Sequence, residues 1–188
     1  MREIDALGGE MARNTDRTFI HIRMLNTGKG PAVQSLRAQA DKKAYQQAMK
    51  HTLEAQSGLH LKQAVVEQVL VETARDRKPR FAGVATQTGQ VFAADVLVLT
   101  TGTSLRSRVI VGDVSYTGGR SGEAPALGLS EGLRQLGFTL GRLKTGTPPR
   151  IHRDSIDFSR MLEQPGDDLP RPFSHFTAKT ESYAAPSP

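Results

Sequence analysis

The sequence predicts an α/β fold of the doubly wound, nucleotide-binding kind, and three observations predict it. Residues 18–25 (TFIHIRML) set Phe19, His21 and Arg23 against Ile20, Ile22 and Met24, the period of a half-buried strand. Residues 81–94 read as two short strands around Thr88-Gly89-Gln90, a hairpin in which Gly89 supplies a positive φ. Residues 95–100 (DVLVLT) are then apolar at consecutive positions and close in Thr101-Gly102-Thr103. A run apolar on both faces suits a central parallel strand covered on both sides.

The remaining elements follow in order. Ile4, Leu7 and Met11 lie on one face of a short helix that no strand precedes, which suggests a segment upstream. The first strand stops at Asn26-Thr27-Gly28-Lys29-Gly30-Pro31, where Pro31 can open a helix because its missing amide hydrogen is not needed there. Residues 32–56 contain no Gly or Pro, and Val33, Leu36, Ala40, Ala44, Ala48 and Leu53 make a stripe, so one long polar helix is expected. Gly58 ends it. Leu59, Leu61, Val65, Val66, Val69 and Val71 predict one or two strands, followed by a polar turn over residues 73–79. Residues 118–123 form a loop, and residues 126–136 a helix with Leu127, Leu129, Leu133 and Leu136 inward, closed by Gly137. A short strand is expected over residues 138–144 and a stiff turn at residues 145–150 (TGTPPR); residues 164–188 have too little periodicity for regular structure.

Composition narrows the chemistry. The 188 residues suffice for one domain and a little more, with 25 Lys and Arg against 19 Asp and Glu for a formal charge of +6. With no cysteine, the chain itself carries no disulfide, thiolate metal site or thiol nucleophile. No apolar run is long enough for a bilayer and the amino terminus is no secretory signal, so a cytoplasmic protein without a membrane partner is expected. The five histidines include no i,i+4 pair and no HExxH, so no metal site is expected. No GxGxxG follows a strand; Gly28-Lys29-Gly30-Pro31 lacks the third glycine, and without Ser or Thr after the lysine it is no P-loop. Thr100, Gly102 and Thr103 sit where backbone amides of such folds approach a ligand, but any buried strand ending in a glycine turn has the same composition. Arg23, Lys29, Arg37, Lys42 and Lys43 cluster near one turn and the expected helix; a solvated helix face accounts for them, with phosphate binding as the second reading.

Five strings carry a resemblance that composition does not. EIDALGG at residues 3–9, RMLNTGKGPAV at 23–33, LTTGT at 99–103, GGRSGE at 118–123 and GRLKTGTPPR at 141–150 stand in an order and spacing similar to the MnmG, or glucose-inhibited division protein A, family. That resemblance implies a partial FAD-binding, glutathione-reductase-like (Rossmann-type) domain over residues 1–150, with a hairpin or meander and a helical excursion at residues 26–57. Residues 151–188 would begin an insertion domain and then diverge, departing from the family after Ser174. Family members are much longer, with a GxGxxG loop and cysteine-bearing segments lying outside the matched part, so the chain resembles an internal piece.

The implied activity is FAD-dependent modification of C5 of the wobble uridine of tRNA, adding a carboxymethylaminomethyl or aminomethyl group. NADH and methylene-tetrahydrofolate would be co-substrates, an MnmE-type GTPase the partner, and the full-length protein a homodimer. Position by position, the resemblance gives Val66, Thr100, Gly102, Thr103 and Ala126 to the cofactor, and Arg120, Lys144 and Arg150 to tRNA phosphate or the flavin; no residue is assigned to catalysis. A non-catalytic module binding tRNA or the GTPase is the alternative. A folate-dependent tRNA uridine methyltransferase is disfavoured by the second and fifth strings.

Overall fold

A computed structural model describes residues 1–73 and 79–177. Two compact units compose it, Met1–Leu61 with Ile151–Pro188, and Lys62–Arg150. The chain changes unit after residue 61 and again after residue 150.

In the first unit, helices α1 (Arg2–Ala6) and α2 (Met11–Thr18) lead into strand β1 (Phe19–Leu25). The single amino-terminal helix is in fact two: Gly8, at φ +92°, separates them, and Leu7 is 90% exposed rather than inward. The long helix expected over residues 32–56 is corrected more deeply. A 3-10 turn (Pro31–Val33) is followed by strand β2 (Ser35–Ala40), antiparallel to β1, and only then by helix α3 (Lys42–Glu54). Leu36, Ala38 and Ala40 satisfy a period of two as well as a helical stripe, and β1 offers them a hydrogen-bonded edge. Asp41 fixes where the helix begins, its carboxylate accepting from the amides of Lys43 and Ala44, both at 2.9 Å.

Phe19 and Ile22 are three residues apart, so in a regular strand they would face opposite ways. A bulge between Phe19 and His21 shifts the register, and both reach the core with Ala12 and Phe173, flanked by Leu36 and Ala38. The expected alternation therefore holds from His21 onward only.

Residues 164–177 contain no helix or strand, yet side chains pin them. The amide of Asp167 donates to the Ile22 carbonyl and its carboxylate accepts from the Met24 amide, both at 2.9 Å. Buried Asp16 accepts from the amides of Phe173 (2.8 Å) and Ser174 (2.9 Å) and from the Thr177 hydroxyl (2.7 Å). Buried Asp5 accepts from the amide (2.7 Å) and ring Nδ1 (2.9 Å) of His175. Burial would raise the Asp5 carboxyl, but the hydrogen bonds from His175 and Ser174 outweigh it and hold the group below its ordinary value.

The second unit is a meander, β3 (Val66–Thr73), β4 (Pro79–Thr86) and β5 (Val91–Ala93), antiparallel in that order. The β4–β5 hairpin is as expected, with Gly89 at φ +81°. Most of the expected turn at residues 73–79 lies outside the described residues. Gly83 in the central strand is obligatory: a Cβ there would lie 2.3 Å from the Phe92 carbonyl oxygen. Helix α4 (Gly128–Gln135) packs on β3, with Gly128 and Gly132 against Glu67 and Leu129 and Leu133 buried, while Leu127 is 49% exposed instead of inward. Gly137, at φ +90°, ends it: its amide donates to Arg134 and that of Phe138 to Leu133, closing the last carbonyls.

A second hairpin, β6 (Arg108–Val111) and β7 (Val114–Thr117), turns on Gly112-Asp113 and escaped the sequence reading. Two expected strands are absent. Residues 95–100 form no strand, with Val96 77% and Val98 79% exposed, and residues 138–144 are likewise irregular. A strand apolar on both faces forms only where a sheet receives it, and among the described residues no parallel neighbour lies beside it. No helix of the described residues is long and apolar enough to cross a membrane.

Candidate functional site

The loop that follows residues 95–100 opens onto a cleft of about 390 Å³ within the second unit. Gly102 adopts φ +66°, and a Cβ placed on it would meet nothing within 4 Å, so the backbone at its rim is bare and approachable. Beyond it the chain is tied down by a parallel bridge between Leu105 and Ala126, in which the Arg106 amide donates to the Ala126 carbonyl at 2.8 Å. That bridge holds Arg106 at φ +44° and aims the following residues along the cleft.

Arg106, Arg108, Arg134 and Arg142 line the cleft together with Thr101, Gly102, Thr103, Ser107 and Ser130. Glu131 lies 3.3 Å from the Arg134 guanidinium and 3.8 Å from that of Arg106, a carboxylate shared by two cations. Arg142 donates to the Arg106 carbonyl at 3.4 Å, and Arg108 donates to the Ser115 hydroxyl. Four guanidinium groups against one carboxylate leave the cleft cationic, and planar arginine forks beside hydroxyl donors suit a phosphate or another planar anion. Its lining side chains are guanidinium, hydroxyl and aliphatic groups, the first two of which can donate to an anion.

Of the residues singled out from the sequence, Gly102 and Thr103 line the cleft, Thr100 precedes it, and Ala126 anchors its edge through the bridge. Val66 opens β3, half-buried and paired with Thr86, away from the lining. Arg120 is exposed on a 3-10 turn, 3.8 Å from Glu123. Lys144 lies between the lining residues Leu143 and Thr145 but is not itself of the lining, and Arg150 is exposed. Sequence reasoning missed the four arginines. Ser130 and Arg134 stand one helical turn apart on α4 and so could have been read together. Arg106 and Arg108 could not, because the bridge and hairpin that aim them are not periodic features. Among the described residues no group of His, Asp or Glu could hold a metal ion.

A mixed helix and strand chain with an arginine-lined cleft beside a Thr/Gly loop is of the α/β class. Comparison then names the family. The sequence model described as "Glucose inhibited division protein A" matches residues 1–186, and the chain belongs to that family. The match includes the stretch after Ser174 that was expected to diverge. The tRNA uridine 5-carboxymethylaminomethyl modification enzymes MnmG of Bacillus velezensis and Bacillus subtilis are each 56% identical over 179 residues, covering 95% of this chain and 28% of theirs. The crystal structure of Aquifex aeolicus GidA superposes with a TM-score of 0.83 at 46% identity, over 94% of this chain and 28% of that one. The chain thus spans little more than a quarter of the length of these relatives.

Proposed function

We propose that this chain supplies part of the cofactor-binding region of an FAD-dependent enzyme that modifies C5 of the tRNA wobble uridine, acting with a GTPase partner of the MnmE type and assembling as a homodimer. The observation that carries the reading is 56% identity over 179 residues to enzymes named for that modification. The cleft is consistent with it. An approachable glycine loop and four arginines fit one portion of a dinucleotide, whereas the chain has no GxGxxG loop for the pyrophosphate. Gly102 and Thr103 would present backbone amides, Arg106 and Arg142 would neutralise negative charge, and Ala126 would keep the loop in place. When bound, FAD supplies the redox chemistry, with NADH and methylene-tetrahydrofolate as co-substrates. Val66 would contact the cofactor by its backbone, and Arg120, Lys144 and Arg150 would face tRNA.

One observation favours a second reading, a non-catalytic tRNA- or partner-binding module: the charged side chains that line the cleft are all arginines, which bind anions. An exchange experiment separates the two. The matched 179-residue segment of the Bacillus subtilis enzyme is replaced by this chain in a strain lacking its own copy, and tRNA nucleosides are measured by mass spectrometry. Restored modification is expected, and Arg142→Gln in the exchanged segment should lower bound flavin. Absence of modification from a stable, flavin-loaded hybrid would refute the proposal.

A further inference from the structure

The two-stranded ribbon of the first unit places Arg23 directly opposite Arg37. Residues paired across an antiparallel ladder share a face, and like charges so placed repel. The rest of that face is His21 and Leu25 on β1 with Gln39 and Ser35 on β2, so it holds no carboxylate. Arg37 is exposed; Arg23 is half-buried, and its Nη1 is buried without a hydrogen-bond partner. Neither has an ion-pair partner among the described residues. Two acids beside the ribbon are engaged elsewhere, Asp167 by the Met24 amide and Asp41 by the first turn of α3. Further cations stand at the ribbon's two ends: exposed Lys29 in the connection before β2, and exposed Lys42 and Lys43 just after it. Six strand residues at ~3.3 Å each make that row roughly 20 Å long.

From this we infer that the Arg23–Arg37 face of the ribbon docks the phosphodiester backbone of RNA. A facing pair of guanidinium groups is unfavourable alone and favourable around a phosphate oxygen pair, and a row of cations matches a linear polyanion better than a single phosphate. The inference rests on the tRNA-modification reading and assigns its substrate a surface distinct from the residues named above for tRNA contact.

The test titrates the 188-residue chain with unfractionated tRNA over a range of NaCl concentrations. Arg37→Gln should reduce the slope of log affinity against log salt by about 0.7–0.9, the value of one phosphate contact, while Lys50→Gln, whose amine is paired with Glu54 on α3, leaves it unchanged. Without RNA, Arg37→Gln should raise Tm, because the repulsion is relieved; that measurement also verifies the fold. An unchanged slope with binding retained overturns the docking face yet leaves the tRNA reading standing, which the exchange experiment judges separately. Failure of the parent chain to bind tRNA at low salt overturns the inference, as does polyglutamate displacing tRNA as well as polyuridylate does, since the face would then suit an acidic protein.

Discussion

Asp16 carries the sharpest stability prediction. It is 5% exposed and receives three hydrogen bonds from residues 173–177, at 2.8, 2.9 and 2.7 Å. Hydrogen bonds to a charged acceptor contribute about 1.5–3 kcal/mol each, and a buried amide left without an acceptor costs about 1–3 kcal/mol. The three share one carboxylate and do not add fully. Asp16→Ala should therefore cost about 3–5 kcal/mol. At roughly 4–8 °C per kcal/mol for a unit of this size, Tm falls by about 15 °C or more. Asp16→Asn keeps the volume and one acceptor oxygen but turns an NH₂ toward a donor, so about half the loss, roughly 2 kcal/mol, is expected. Urea denaturation of the whole chain measures the loss, and hydrogen exchange at the Phe173 and Ser174 amides reports whether it arises at this site. Midpoints within ~0.5 kcal/mol of the parent, with protection of those amides retained, would refute the claim that this carboxylate holds the segment.

Two further outcomes follow from other sites. Gly83→Ala adds a Cβ 2.3 Å from a backbone oxygen at φ +155°, so it should separate β4 from β5 at roughly 2–6 kcal/mol, seen as loss of protection at the Ala94 and Thr86 amides, which donate to the Ala82 and Gln90 carbonyls. The Asp5 carboxyl is held below its ordinary value of 3.8, so its contribution is complete at neutral pH and disappears as pH falls below 3.8 through the lowered folded value. Acid titration should release the His175 amide to exchange in that range, and Asp5→Asn should remove the acid-dependent step.

Local signals that need no partner were legible. Gly89 demands a positive φ, Gly137 closes α4, and Leu129 and Leu133 stand four apart and are both buried. The Thr101–Thr103 loop was readable as a possible binding element. The misreadings share one cause. Residues 35–40 fit a helical stripe and a strand alternation equally, and pairing with β1 decided between them. Residues 95–100 satisfy the pattern of a buried parallel strand, but pattern alone supplies no neighbour.

The sequence by itself determined the family, through strings whose order and spacing survive without any coordinates, and it determined the turns, because glycine and proline act on their own backbone. Tertiary structure decided what depends on residues far apart in the chain. It brought Arg106, Arg108, Arg134 and Arg142 to one cleft, set Arg23 against Arg37, and turned Asp5 and Asp16 into anchors for residues some 160 positions away. A charge has no local periodicity to betray its partner. Its role is fixed only when the folded backbone brings donor, acceptor or like charge within reach.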